Sequence, residues 1–155
     1  MARTQDGDFA LSPTELDALF DTAPGLPPGW EKLEDTTVTN DEGWVTLQGF
    51  LAQWSMSTAL DCRTTQAYLA YLGMGEETAH ALTNTRRRKE ERKLNRNQRT
   101  VLLCYVVGAV GCGKTSILRR HIRRPIDEEH VHTTNPYSVV NTVEVDGIEK
   151  YLVVR

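Results

Sequence analysis

One short stretch of the sequence, GAVGCGKT at residues 108–115, has the composition and spacing of a loop that binds phosphate. Gly108, Gly113, Lys114 and Thr115 match the pattern G-x-x-x-x-G-K-[ST]. Glycines let backbone N–H groups surround a phosphate, the lysine reaches the β and γ phosphates, and the threonine hydroxyl binds Mg²⁺. The alternative is a glycine-rich turn with an exposed lysine. The residues predicted to bind nucleotide are Gly111, Cys112, Gly113, Lys114, Thr115 and Ser116.

The elements on either side of this loop are predicted from apolar runs and turn residues. The run TVLLCYVV at residues 100–107 is apolar and β-branched, which predicts a buried strand entering the loop. GKTSILRRHIRR at 113–124 predicts a helix that ends before Pro125. Two further strand-like runs flank Asp146-Gly147, a dipeptide typical of a two-residue hairpin turn. Strand, loop and helix thus follow in the order that a phosphate-binding loop requires.

The part of the chain after the loop is short, because only 40 residues follow Thr115. A P-loop NTPase also needs a carboxylate that holds Mg²⁺ and a segment that recognises the base. The last predicted strand ends with the chain, so we expect both to be missing. We also expect the unfinished apolar sheet to be prone to aggregation unless something covers it.

An acidic stretch near the start, TQDGDFALSPTE at residues 4–15, fits a twelve-residue EF-hand loop. Thr4 replaces the usual first aspartate, and Phe9 replaces the glycine of the sharp turn. The same stretch contains a capping box, with Ser12 as the N-cap and Glu15 reaching back to it, and both interpretations are compatible. The predicted calcium ligands are Thr4, Asp6, Asp8, Ala10 and Glu15.

A second loop-like segment, VTNDEGWVTLQG at 38–49, resembles the partner loop of an EF-hand pair. Val45 is placed where it could pair with Leu11 in the short two-stranded link between such loops. Val38 and Gly49 occupy key ligand positions, so this loop is expected to be structural and not to bind Ca²⁺. Apolar residues at helical spacing predict helices around 16–20, 50–54 and 68–72.

Charge divides the chain into parts. Residues 1–85 carry 13 acidic and 3 basic side chains, a net charge of -10, whereas residues 86–155 carry 8 and 15, a net charge of +7. The basic run at 85–99 is typical of a solvated helix or linker, with a phosphate or acidic-membrane contact as the alternative. We therefore predict a helical module at 1–84, a basic linker at 85–99 and a strand-rich module at 100–155.

Cysteine content and hydropathy indicate which cellular compartments are compatible with the sequence. Three widely spaced cysteines indicate neither a disulfide framework nor a C-x-x-C metal site, which favours a reducing compartment. The first residues contain no apolar stretch typical of a signal peptide, and the longest apolar run is too short to span a bilayer. Membrane attachment is therefore expected only through residues outside this sequence, and no nucleic-acid partner is expected.

Five stretches together resemble the mitochondrial Rho GTPases (Miro), the fungal branch in particular. They are DFALSPTELDALF, GWVTLQGFLAQWSMSTALD, AYLAYLGM, GAVGCGKTSIL and VVNTVEVDGIEKYLVV. The resemblance covers nearly the whole chain and implies the second EF-hand module joined to the first third of the C-terminal GTPase domain. The implied fold class is α+β and multi-domain, with a helical EF-hand pair, ligand-mimic helices and an incomplete Ras-like P-loop α/β domain.

The resemblance also implies roles for individual residues. GTP or GDP and Mg²⁺ would be bound, with Lys114 and Thr134 as catalytic residues and Thr115 and Thr134 as Mg²⁺ ligands. A surface threonine is the alternative for Thr134. Val110 stands where many Ras-like enzymes have a glycine, which is expected to slow hydrolysis. Tyr68, Leu69 and Leu72 are the candidate anchors of a helix that lies in the EF-hand groove as a built-in ligand mimic, with ordinary helix packing as the alternative.

Three hypotheses about function follow. The first is a calcium-responsive GTPase on the cytosolic face of the mitochondrial outer membrane that controls mitochondrial distribution, morphology and trafficking, with trafficking or tethering proteins as partners. The second is a non-enzymatic calcium and protein-interaction fragment, itself cytosolic, whose incomplete P-loop part is inactive. The third is an incomplete gene product. Under the first hypothesis, this chain by itself is still expected to lack GTP hydrolysis.

Overall fold

A computed structural model describes residues 9–75, 82, 99–126, 133 and 137–155. The predicted ligands Thr4, Asp6, Asp8 and Thr134 and the basic run at 85–98 lie outside the described residues. The helices are α1 (Pro13–Leu19), α2 (Leu47–Leu60), α3 (Cys62–Tyr71) and α4 (Lys114–His121), with a 3₁₀ turn at Leu33–Asp35. The strands are β1 (Ala10–Leu11), β2 (Val45–Thr46), β3 (Val101–Cys104), β4 (Val139–Val145) and β5 (Ile148–Val154). This mixture of helices and sheets agrees with the predicted α+β class.

Residues 9–75 contain helices that begin at capping residues and one short strand pair. The predicted capping box is confirmed, since the Ser12 hydroxyl accepts from Glu15 N and the Glu15 carboxylate accepts from Ser12 N at 3.0 Å. The predicted pairing of Leu11 with Val45 is also confirmed and joins β1 to β2 in antiparallel register. Asp61 caps α3, and hydrogen bonds led by the Thr64 hydroxyl hold the pKa of its carboxyl below the usual range.

An aromatic cluster forms the core of this helical part. Trp30 is almost fully buried, with its ring centroid 4.7 Å from that of Trp54, and its indole N–H donates to the Ser57 hydroxyl at 3.0 Å. Tyr68 of α3 and Leu72, the residue after this helix, pack against the cluster. Leu69, the third predicted anchor, lies outside this cluster of described side chains.

The second sheet has the strand order β3-β5-β4, with β3 and β5 parallel and β4 and β5 antiparallel. The predicted hairpin turn is confirmed, because Asp146 and Gly147 both take positive φ, 55° and 73°. Strand β3 is shorter than the predicted 100–107. Cys104 pairs with Val154 at the end of β5, so the ladder has no further partner strand among the described residues.

Helix α4 covers one face of this sheet and ends earlier than predicted. Arg123 takes a φ of 63°, which is incompatible with a right-handed helix and stops α4 three residues before the predicted end. Leu118 and Ile122 pack against Val139 and Val154. His121 is half-buried, with Nε2 3.0 Å from the Leu152 carbonyl oxygen.

Helix α2 covers the opposite face of the sheet. Ala52 and Met56 pack against Val140 and Val153, which have no exposed surface. The β4–β5 pair therefore has a cover on both faces, the condition under which no aggregation was expected. On the β3 side, Leu103, Tyr105 and Val107 are 40%, 63% and 86% exposed. None of the helices in the described part of the chain is long and apolar enough to cross a bilayer.

The burial of Met56 yields a first prediction. Met56→Ala leaves a cavity between α2 and the sheet, so we expect the free energy of unfolding in urea to fall by about 2–4 kcal/mol. Leu51→Ala, on the same helix but 45% exposed, is the matched control, and its loss should stay below about 1 kcal/mol. Equal losses in the two variants would mean that α2 does not support the sheet.

Candidate functional site

The loop between β3 and α4 has the backbone that its glycines predict. Gly111 and Gly113 take φ values of 80° and 86°, in the left-handed region that glycine favours. At Gly108 a Cβ would lie 2.7 Å from the Cys112 sulfur, so a larger residue there would require the Cys112 side chain to move. Gly113 is the N-cap of α4 and makes no side-chain cap, so the first N–H groups of that helix adjoin the loop.

The Lys114 side chain forms hydrogen bonds with the backbone at the start of the loop. Its ammonium group donates to the carbonyl oxygens of Gly108 at 3.0 Å and Ala109 at 2.7 Å, and lies 3.9 Å from the Cys112 sulfur. The first residue of α4 is thereby joined to the first two residues of the loop. A positive charge and the backbone groups of residues 111–116 are brought to one place, which is what phosphate recognition requires.

The threonine that follows Lys114 has a partner that the sequence did not indicate. The hydroxyl oxygens of Thr115 and Thr133 are 2.8 Å apart. Thr134, the predicted Mg²⁺ ligand, lies outside the described residues, and Thr133 is its immediate neighbour. The TT pair was visible in the sequence, but spacing alone did not distinguish its two members. Ser116 lies half-buried in the first turn of α4, and Val110 is 77% exposed.

The described half of the first EF-hand-like loop comprises residues 9–15. Phe9, at the position that glycine usually occupies, takes a φ of 63°, the conformation that glycine adopts without strain. Ala10 is buried in β1, and the Glu15 carboxylate accepts hydrogen bonds from the backbone N–H and hydroxyl of Ser12. Within the described residues, His, Cys, Asp and Glu side chains form no group of three that could hold a metal.

The second loop contains a tight turn at Asn40–Trp44. Gly43 takes a φ of 85°, and the Asn40 side-chain oxygen accepts from Trp44 N at 2.7 Å. At Gly49, the position of the bidentate ligand in a calcium loop, a Cβ would lie 2.3 Å from the Val38 carbonyl oxygen. A side chain at this position would require the backbone to shift.

Comparison with known proteins agrees with this arrangement. Residues 30–96 match a family model described as "EF hand associated". The chain is 50% identical, over 99% of its length, to Mitochondrial Rho GTPase 1 of Cryptococcus neoformans. It is 45% identical over 92% to the Neurospora crassa protein of that name, and 41% identical over 96% to that of Saccharomyces cerevisiae.

The chain spans 24% of the length of each of these relatives. All three are fungal proteins, and the match extends over nearly the whole chain. The resemblance to mitochondrial Rho GTPases is therefore confirmed. The domain boundaries and the site residues stay predictions.

The conformation of Phe9 can be tested. Its side chain is 79% exposed, so replacement removes little packing. Phe9→Gly should raise the free energy of unfolding by about 0.5–1 kcal/mol, because glycine takes a positive φ without the penalty of a Cβ. Phe9→Ala retains the Cβ and should stay within about 0.5 kcal/mol of the unmodified chain. If urea titration shows both variants equally stable, the residue is not strained.

Proposed function

We propose that this chain, which is related along nearly its whole length to the mitochondrial Rho GTPases, forms the phosphate-binding part of a guanine-nucleotide site built onto an EF-hand module. The observation that carries the proposal is the bridge from Lys114 to the carbonyls of Gly108 and Ala109. It holds the ammonium beside the glycine turns, in the order strand, loop and helix that phosphate binding requires.

The position of the loop in the sheet supports the same proposal. Strands β3 and β5 are parallel, so their carboxyl ends at Cys104 and Val154 lie at one edge. Ligands of open α/β sheets bind outside the carboxyl ends of the strands. The loop begins just beyond this edge, and Thr115 meets Thr133 there, so residues from two segments are available to one phosphate group and its cation.

The roles of the residues follow from their chemistry. Backbone N–H groups of residues 111–116 and the Lys114 ammonium bind phosphate oxygens and offset their charge. Thr115 offers a hydroxyl to Mg²⁺, which supplies charge stabilisation of the phosphates when bound. Thr133 or its neighbour Thr134 supplies a second hydroxyl on the Mg²⁺ side of the site. The residues named above bind phosphate and Mg²⁺, and recognition of guanine and hydrolysis of GTP, which the relatives' name implies, need further residues.

The calcium part of the proposal rests on Phe9 and on the pairing of Leu11 with Val45. The left-handed backbone at Phe9 and the Leu11–Val45 pairing are features of a paired EF-hand loop. Ca²⁺ at Thr4, Asp6, Asp8, Ala10 and Glu15 would be bound weakly, because one carboxylate of the usual set is absent. We place this calcium-responsive function at the cytosolic face of the mitochondrial outer membrane, in control of mitochondrial distribution, morphology and trafficking together with tethering proteins.

Nucleotide binding is tested with a fluorescent GDP analogue titrated into the chain in the presence of Mg²⁺. Lys114→Ala removes the charge-assisted contact, so we expect the affinity to fall by about tenfold or more. Arg120→Ala removes the same charge from an exposed position on α4 and should leave the affinity unchanged. Failure of the unmodified chain to bind, or equal affinities for all three proteins, would refute the proposed site.

Calcium binding is tested by melting the protein in millimolar Ca²⁺ and in EDTA. The unmodified chain should melt several degrees higher with Ca²⁺, because a ligand that binds only the folded state stabilises it. Glu15→Gln should abolish the rise, while its amide oxygen still accepts from Ser12 and preserves the capping box. Glu42→Gln, an exposed carboxylate of the second loop, should retain the rise. A rise that survives Glu15→Gln would place calcium elsewhere.

A further inference from the structure

The 3₁₀ turn of the helical part and the residue after it contact the strand-rich part at two separated points. The first is Arg124, just beyond α4. Its Nε donates to the Glu34 carbonyl oxygen, and its terminal NH₂ group donates to the Glu34 carboxylate, both at 2.9 Å. The two side chains are 35% and 53% exposed, so the ion pair is partly hydrated. The planar guanidinium fixes direction through two hydrogen bonds, which an ammonium could not do.

The second point lies at the start of β4. The Tyr137 hydroxyl donates to the Asp35 carbonyl oxygen, and Val140 N donates to the Thr36 carbonyl oxygen at 2.8 Å. Burial raises the pKa of Tyr137, and the negative charge of Asp35 adds to that shift. The phenol therefore remains a hydrogen-bond donor beyond the pH at which an exposed tyrosine ionises.

These two points bracket one segment of the chain. Thr133 comes nine residues after Arg124 and four before Tyr137 in the sequence, and its hydroxyl oxygen lies 2.8 Å from that of Thr115. The partners of Arg124 and Tyr137, Glu34 and Asp35, are consecutive in sequence. Because four residues of chain span at most about 14 Å, holding Tyr137 to the turn limits where Thr133 can lie.

We infer that the Leu33–Thr36 turn is a positioning device for the nucleotide site: by holding Arg124 and Tyr137, it sets where Thr133 meets Thr115. The inference rests on the proposed function, because it assigns the turn a role on the cation side of that site. Arg124, Tyr137 and Glu34 are positioning residues, since none of them lies in the phosphate-binding loop. The phosphate side, formed by Lys114 and the glycines, is independent of the turn.

Because the turn acts on the cation side of the site and not on the phosphate side, its effect on affinity should depend on Mg²⁺. Affinity for the fluorescent GDP analogue is measured with Mg²⁺ and with EDTA for the unmodified chain, Arg124→Met and Glu34→Ala. Each variant should bind about threefold to tenfold more weakly with Mg²⁺, the effect of losing a half-exposed, hydrogen-bonded ion pair, and equally well in EDTA. Arg124→Lys, which keeps the charge, should recover part of the loss. Arg120→Met and Glu42→Ala are controls that remove like charges elsewhere.

Two outcomes would overturn the inference while leaving the nucleotide site intact. One is unchanged affinity in both variants, and the other is an equal loss with Mg²⁺ and with EDTA, which indicates general destabilisation. If the unmodified chain binds no nucleotide, the proposed function fails, and hydrogen exchange of the nucleotide-free protein then decides about the turn. Arg124→Met should speed exchange of the Val140 amide about tenfold if the two ends are held together. An unchanged rate would refute the device.

Discussion

The packing of α2 on the three-stranded sheet is the contact on which the rest of the structure depends. A sheet buries two faces, and α4 is a single short helix that covers one of them. Ala52 and Met56 supply the other layer and leave Val140 and Val153 without exposed surface. Phe50 and Trp54 of the same helix pack against the aromatic core around Trp30, so α2 contacts both the helical part and the sheet.

Local features of the fold could be predicted from the sequence, and the contact between its two parts could not. The capping box, the hairpin turn and the Leu11–Val45 pair each depend on residues close in sequence or on a fixed loop alignment. Helix α2 is apolar around most of its circumference, so periodicity does not reveal that it has two buried sides. Leu51, selected from helical spacing, is 45% exposed, whereas the small Ala52 is buried against the sheet.

The residues of the candidate site could also be predicted only in part from the sequence. The loop motif identified Lys114 and Thr115, because its spacing directly reflects phosphate geometry. It did not identify Thr133, whose position depends on contacts that Arg124 and Tyr137 make with a turn about 90 to 102 residues earlier in the chain. It also did not predict the positive φ of Arg123, since a charged residue there carries no signal of a helix end.

The connection between the two candidate sites runs through α2 itself. Strand β1 carries Ala10 of the first loop and pairs with β2, and Thr46 at the end of β2 is the N-cap of α2. Gly49, in the first turn of α2, lies so close to the second loop that a Cβ there would be 2.3 Å from the Val38 carbonyl oxygen. The described contacts therefore join Ala10 of the first loop to the sheet through β2 and α2.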